Sequence, residues 1–169
     1  KFKIMKKFTI GAALLSIMFT GINAQSLKSP DGKFEANFQL KNGVPFYNLK
    51  YNGSVVVEDS KLGIRLFKDS SIKFASEIAK PEDASFDLNN GFTKTAEKRD
   101  SKNETWQPIL GEKKDYINNY NELALTLNQT SSDRNIIIKF RLFNDGLGFR
   151  YEFPQQKNLN YFVIREEDS

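Results

Sequence analysis

Apolar and polar side chains alternate along most of this sequence, and short turn motifs separate the alternating runs. The alternation is clearest in residues 34–40, 123–127 and 136–142. A period of two places successive side chains on opposite faces of a strand, so each run predicts a strand with one buried face. Helical periodicity is almost absent after the leading segment. The pattern therefore predicts an all-β fold.

Turn motifs join the predicted strands at short intervals. Asn52-Gly53 is the strongest hairpin signal, because two-residue hairpin turns need residues that accept positive φ. Ser29–Gly32, Asn42-Gly43, residues 128–133 and Asn144–Gly146 predict further turns. Short strands with turns roughly every 8–12 residues are typical of an antiparallel sandwich or barrel.

Two parts of the chain are harder to interpret. Residues 76–103 lose the alternation, and we interpret them as loops with short strands. A last strand is predicted at residues 159–164, and it runs into the acidic end of the chain without a terminating turn. A terminal strand without a partner would leave backbone groups unpaired. We therefore expect the sandwich to be incomplete at its C-terminal end.

The first 24 residues have the organisation of a signal peptide. Lys6 and Lys7 precede a mostly apolar run over residues 8–19, and Ala24 stands before Gln25, where a peptidase could cut. The apolar run is shorter than the ~20 residues that span a membrane. A single uncleaved anchor is the alternative. We predict a signal peptide at residues 1–24, a β-domain at 25–169, a secreted or periplasmic location and no membrane association after cleavage.

Composition excludes several functions. The chain has 25 basic and 21 acidic residues, and four of the basic ones are lysines of the leading segment, which leaves 21 against 21 in the mature part. Nucleic-acid binding needs an excess of Lys and Arg, so nucleic acid is not a predicted partner. The chain contains no Cys and no His. It therefore lacks Ser-His-Asp and Cys-His nucleophile arrangements and the commonest zinc ligands.

A first candidate binding segment is ETWQPILGE, residues 104–112. It holds Glu104, the only tryptophan (Trp106) and Gln107, which precedes a proline. A flat indole matches the C–H face of a pyranose ring, and nearby carboxylate and amide groups can bind hydroxyls. These three residues are candidate carbohydrate-binding residues. In the alternative interpretation Trp106 is a core anchor.

A second candidate segment surrounds Tyr120. Asn119, Asn121 and Glu122 flank this residue, and side-chain amides offer both a donor and an acceptor to sugar hydroxyls. All four residues are therefore candidates for carbohydrate binding. Asparagines are also common in turns that precede a strand, which is the simpler alternative.

Both segments, together with RLFNDGLGFRYEF at residues 141–153, carry a resemblance to a known family. The sequence resembles the N-terminal β-sandwich domain of glycoside hydrolase family 97, the α-glucosidases and α-galactosidases of Bacteroides-type bacteria. The resemblance implies an antiparallel β super-sandwich, similar to that of galactose mutarotases, which packs against a catalytic barrel in the same polypeptide. It also implies that the segment around Tyr120 could contact the barrel and shape its mouth.

The resemblance implies an accessory domain of a hydrolase acting on α-glucosides or α-galactosides, with oligosaccharides as the substrate. The catalytic acid and base of the family, and most of its Ca²⁺ ligands, would lie beyond residue 169. We therefore assign no catalytic residue, metal site or cofactor to this chain and expect it to be inactive alone. A free-standing carbohydrate-binding module and a purely structural β-sandwich are the alternatives.

Carboxylates of this chain give no catalytic pair by their spacing. Glycoside hydrolysis needs two carboxyl groups roughly 5 Å or 6.5–9.5 Å apart, and Glu104, Glu112, Glu122 and Glu152 qualify by residue type only. The closing cluster at residues 166–168 has hard oxygen ligands that could attract Ca²⁺. A solvated acidic end is the alternative for this cluster.

Overall fold

The computed structural model describes residues 24–67, 87–110, 112–160 and 162–169. Across these ranges the chain forms β-strands and no helix, which confirms the all-β prediction. The strands are β1 (Gln25–Lys28), β2 (Phe34–Lys41), β3 (Val44–Tyr51), β4 (Ser54–Lys61), β5 (Gly63–Phe67), β6 (Phe92–Trp106), β7 (Tyr116–Gln129), β8 (Arg134–Phe143), β9 (Leu147–Glu152) and β10 (Val163–Asp168). Within the same ranges, no helix has the length and apolar character to cross a membrane.

The strands pair into antiparallel sheets. The N-terminal sheet has the order β1-β2-β3-β4, the central sheet has the order β6-β7-β8-β9, and β5 pairs with β10. Each four-stranded sheet is a meander, in which neighbours along the chain are also neighbours in space. Because consecutive strands are joined by hairpins, the turn motifs in the sequence largely determine which strands pair.

The two four-stranded sheets pack face to face. Phe38 of β2 meets Phe140 of β8 with ring centroids 6.0 Å apart, and Tyr47 meets Phe149 at 5.5 Å. The apolar positions of the alternating runs supply this core, whose buried members include Leu27, Ala36, Leu49, Leu123, Leu125, Leu127, Ile136, Ile138 and Leu142. Burial of these side chains is the main force that holds the sheets together. The fold is therefore an all-β sandwich, as predicted.

The predicted hairpin turns have the backbone that their sequences require. Asn52 has φ 48° and Gly53 has φ 82°, while Asn42 and Gly43 have φ 51° and 77°. Two consecutive residues with positive φ form a turn whose twist matches that of the flanking strands. Gly43 also accepts a backbone hydrogen bond of 2.9 Å from the amide of Phe92, which places the start of β6 beside this turn.

Two sequence-based strand predictions are wrong. Residues 92–103 belong to the long strand β6 rather than to loops. The sequence did not predict this strand because residues 93–103 are exposed on both faces and show no alternation of apolar and polar side chains. The last strand is Val163–Asp168 rather than residues 159–164, and it pairs with β5 instead of lacking a partner. Residues 76–86, and the predicted signal peptide except Ala24, lie outside the described residues.

The central sheet extends into a two-stranded projection. β6 and β7 pair up to Trp106 opposite Tyr116, whereas β8 ends with Phe143 opposite Tyr120. Residues 103–106 and 116–119 therefore form a two-stranded ribbon that reaches past the end of β8. We call this ribbon the β6–β7 arm, and its loop covers residues 107–115.

Candidate functional site

The predicted site residues lie on or beside the β6–β7 arm. Glu104 and Trp106 are in β6, Gln107 follows it, and Asn119, Tyr120, Asn121 and Glu122 are in β7. The four residues of β7 belong to a continuous strand, so the turn interpretation of this segment is wrong. Register brings the two segments together, because Glu104 lies opposite Asn118.

The strand alternation divides these residues between two faces. Leu123 is buried on the face that packs on the N-terminal sheet, which we call the inner face. Asn119 and Asn121 share that face, since they lie four and two residues before Leu123. Tyr120 and Glu122 lie on the opposite face, which we call the outer face. Glu104 and Trp106 also lie on the outer face, because residues opposite each other in paired strands share a face and their partners in β7 lie an even number of residues before Tyr120. The seven residues therefore do not form one patch.

Trp106 is a surface residue of the arm. Its side chain is 51% exposed, and its ring stacks on Tyr116 with centroids 5.1 Å apart and an interplanar angle of 21°. The core-anchor interpretation of Trp106 is therefore wrong. The stack covers one face of the indole with the Tyr116 ring, and the exposed half of Trp106 leaves apolar ring surface open to solvent on the outer face of the arm.

Polar groups adjoin the stacked rings. Glu104 Oε1 accepts a hydrogen bond of 2.8 Å from Asn118 Nδ2 and lies 2.8 Å from Lys102 Nζ. The hydrogen bond from Lys102, followed by that from Asn118, holds the pKa of Glu104 below its usual value. Glu104 also raises the pKa of Lys102. We call Lys102, Glu104, Trp106, Tyr116 and Asn118 the aromatic platform.

The platform includes residues that were not among the sequence candidates. Tyr116 and Asn118 were missed because only the register of β6 against β7 places them opposite Trp106 and Glu104. Lys102 was missed because its place beside Glu104 depends on residues 102–104 forming a strand. Gln107, which was predicted, lies at the end of the platform and donates a hydrogen bond of 2.6 Å from Nε2 to Asp115 Oδ1. That contact ties the two ends of the arm's loop together.

Asn119 and Asn121 lie on the inner face, away from the platform. Asn121 Nδ2 donates a hydrogen bond of 2.8 Å to the backbone oxygen of Lys28. This bond joins the central sheet to β1, so the Asn121 amide has a structural contact. Asn119 is half-buried and lies opposite Asn103 of β6.

Tyr120 and Glu122 lie on the outer face but are engaged by neighbouring side chains. Tyr120 is 6% exposed, packs on Phe143 with ring centroids 5.2 Å apart, and is covered by Arg141, whose Cζ lies 4.5 Å from the ring centroid. Glu122 Oε2 accepts a hydrogen bond of 2.7 Å from Arg141 Nε. These residues support the base of the arm rather than offer free groups to a ligand.

The cations of this outer face border a shallow hollow. Its volume is about 190 Å³, and its lining is Lys139, Arg141, Phe143, Gly148, Phe149 and Arg150. Lys139 Nζ and Arg150 Nη2 both contact Glu152, at 3.0 Å and 2.5 Å, so the positive charges are balanced by carboxylates. The hydrogen bond from Lys139, and then that from Arg150, lowers the pKa of Glu152.

Comparison with known proteins decides the family. The profile described as Glycosyl-hydrolase 97 N-terminal matches residues 27–169. The chain belongs to this family. The resemblance found in the sequence is thereby confirmed.

Solved structures agree with the family assignment. The domain is similar to a glycoside hydrolase family 97 enzyme from Pseudoalteromonas sp. strain K8, solved in complex with panose and in complex with acarbose, with 25% identity, a TM-score of 0.70, and coverage of 85% of this chain and 19% of that chain. A beta-arabinopyranosidase shares the fold at 22% identity and a TM-score of 0.68, with coverage of 85% of this chain and 20% of that one. The chain thus spans about a fifth of the length of these enzymes.

Glu104 and Glu152 lack the raised pKa that a general acid requires. A general acid in a glycosidase needs a raised pKa so that it carries a proton at neutral pH. Cations and hydrogen-bond donors lower the pKa of Glu104 and of Glu152, so both remain ionised. An ionised carboxylate has the capacity to accept hydrogen bonds from hydroxyl groups.

Two of the acidic residues near the end of the chain, Glu166 and Asp168, form ion pairs. Asp168 lies 2.9 Å from Arg65 and 3.4 Å from Lys61, and Glu166 lies 3.2 Å from Arg65. In the part of the chain that the structure describes, no three His, Cys, Asp or Glu residues group as metal ligands would. Glu166 and Glu167 are exposed, in agreement with the solvated interpretation, whereas Asp168 is partly buried between Arg65 and Lys61.

Proposed function

We propose that this domain is the N-terminal accessory domain of a secreted or periplasmic glycoside hydrolase that acts on α-glucosides or α-galactosides, including starch-type oligosaccharides. It packs against the catalytic barrel of the same polypeptide and contributes to carbohydrate binding. Membership of the glycosyl-hydrolase 97 N-terminal family supports the accessory role. Hydrolysis itself belongs to the barrel, and the domain alone is inactive.

The observation that carries the binding role is the aromatic platform. Trp106 is half exposed and stacked on Tyr116, so the Tyr116 ring orients the indole while part of its apolar surface stays open to solvent. Glu104 and Asn118 lie at its edge and are already oriented by their mutual hydrogen bond. Aromatic faces with a few oriented polar groups are the usual elements of small-ligand sites.

Two further features support the substrate class and the location. The related Pseudoalteromonas enzyme was solved with panose and with acarbose, and panose is an α-linked glucose trisaccharide, which favours α-glucosides. The signal-peptide organisation of residues 1–24 supports the proposed secretion. Any Ca²⁺ that the parent enzyme binds would take its ligands mostly from outside this chain.

A fluorescence titration tests the binding role directly. Trp106 is the only tryptophan, so its emission reports on the platform alone. We expect maltotriose or melibiose to shift or quench this emission in a saturable way, and cellobiose to leave it unchanged as a β-linked control. The Tyr116→Ala variant, which keeps the tryptophan, should bind more weakly. An emission spectrum that no α-linked saccharide changes at tens of millimolar would remove carbohydrate binding from the proposal.

A further inference from the structure

The segment between β9 and β10 borders a second hollow, at the end of β8 opposite to the β6–β7 arm. Its volume is about 410 Å³, which falls within the roughly 300–1,000 Å³ that is typical of small-ligand pockets. The hollow on the outer face of the central sheet is smaller, at about 190 Å³. We call the larger one the β9–β10 hollow. Its lining comes from residues 153–156, Leu159, Asn160 and Phe162.

Hydrogen bonds hold this segment against β8 and the turn before it. Gln156 Oε1 accepts a hydrogen bond of 2.7 Å from the Asn135 amide, and Gln156 Nε2 donates one of 2.7 Å to the Asn135 backbone oxygen. Asn158 Nδ2 donates a longer one, of 3.3 Å, to the backbone oxygen of Ser132. Leu159 is 6% exposed and anchors the segment in the core. The wall of the hollow is therefore formed before any ligand binds.

The lining combines aromatic rings with amide groups that have no other partner. Phe153 and Phe162 are half-buried, and their ring centroids lie 4.7 Å apart at an interplanar angle of 50°. Gln155 and Asn160 are exposed, and within the described ranges no hydrogen bond engages either side-chain amide. Among the described residues that line the hollow, none is charged.

This lining indicates the chemistry of a ligand. A side-chain amide offers both donors and an acceptor, which suits a ligand with several hydroxyl groups. The aromatic rings suit a ligand that also has an apolar face. The uncharged lining disfavours an ionic ligand, because no group in it would compensate the cost of removing an ion from water. A neutral saccharide meets all three conditions.

We propose that the β9–β10 hollow is a second saccharide-binding site of this domain, independent of the aromatic platform. The choice of a saccharide over other neutral ligands rests on the proposed function. The hollow lies beside Asn135 near the start of β8, whereas the platform lies past Phe143 at its end, so the two sites are at least about 25 Å apart. Two separated sites on one domain bind a long glucan more tightly than either site binds a short oligosaccharide.

Titration of the ¹⁵N-labelled 169-residue chain with maltotriose tests the second site residue by residue. We expect saturable shifts of the side-chain amide signals of Gln155 and Asn160, and of the backbone amides of residues 153–160. These shifts should persist in the Trp106→Ala chain, because the platform is remote from the hollow. The affinity at the hollow should also be the same at low and high salt, since no charged side chain lines it.

Matched variants test the role of the two amides. Gln155→Ala combined with Asn160→Ala should weaken binding at the hollow by about tenfold, because two hydrogen bonds to the ligand are lost. Lys157→Ala, an exposed position in the same segment that does not line the hollow, should leave the affinity unchanged. All three side chains are exposed, so we expect these variants to keep the fold. Backbone shifts of the remaining residues report binding in each of them.

Failure of this inference can be told from failure of the proposed function. Shifts at the platform with none at residues 153–160, at tens of millimolar maltotriose, would overturn only the second site. Shifts at the hollow with none at the platform would support the second site and overturn the role of the platform. An unchanged affinity in the Gln155→Ala and Asn160→Ala chain, or loss of the hollow's shifts in the Trp106→Ala chain, would also overturn the proposal.

Discussion

Replacement of Trp106 by alanine should reduce saccharide binding far more than it reduces stability. The side chain is 51% exposed, and its principal contact is the stack on Tyr116. Loss of an aromatic pair of this kind lowers the free energy of unfolding by about 0.5–1.5 kcal/mol. By comparison, replacing a buried ring such as Phe140, which is 2% exposed, with alanine would lower the free energy of unfolding by about 3–5 kcal/mol.

Affinity for maltotriose should fall by about tenfold in the Trp106→Ala chain, which is about 1.4 kcal/mol of binding free energy. Urea unfolding followed by far-ultraviolet circular dichroism gives the stability, and chemical-shift titration gives the affinity, because neither needs the tryptophan. Trp106→Phe is the matched control, since it keeps a flat ring and should retain part of the affinity. A loss of more than about 3 kcal/mol in stability with unchanged affinity would refute the reasoning and make Trp106 a structural residue.

Four other outcomes follow from contacts in the fold. Tyr151→Phe removes the hydroxyl that accepts a 3.0 Å hydrogen bond from the Gly63 amide, and it should lower the free energy of unfolding by about 1–3 kcal/mol in urea titrations; an unchanged midpoint would contradict this. Gly63→Ala places a Cβ 2.6 Å from Asn89 Cβ and should lower the melting temperature, so a more stable variant would contradict this close approach of Gly63 to Asn89. Because the pKa values of Glu104 and Glu152 are depressed in the folded state, the stability they contribute is present above the ordinary glutamate pKa of about 4.3 and is lost as the pH falls through the folded values. The melting temperature should therefore decline on acidification below about pH 5, and a rise there would contradict that sign. The 169-residue chain should not hydrolyse p-nitrophenyl α-glucoside or α-galactoside, and contaminant-free turnover would show that it carries its own catalytic groups.

Much of the fold was predictable because its signals are local. The runs at residues 34–40, 123–127 and 136–142 alternate with a period of two, and each of them forms a strand with a buried face. Asn52-Gly53 adopts the positive φ values that its sequence favours. β6 could not be predicted because residues 93–103 are exposed on both faces. Their sequence therefore lacks the apolar–polar alternation that distinguishes a strand from a loop.

The candidate site was only partly predictable. Glu104 and Trp106 could be predicted as binding candidates from their residue types alone, and both side chains are accessible to a ligand. The partners of these residues depend on register, which pairs Trp106 with Tyr116 across a long hairpin. The same register buries Tyr120 beneath Arg141 and turns Asn121 towards β1, so a cluster that is continuous in sequence becomes divided in space.

The most direct measurement of the central claim is a map of backbone amide shifts in the ¹⁵N-labelled chain during titration with maltotriose. The account predicts saturable shifts at residues 102–107 and 116–118, together with the indole signal of Trp106, and none in the N-terminal sheet. Shifts confined to the N-terminal sheet, or no saturable shift anywhere in the spectrum, would contradict it.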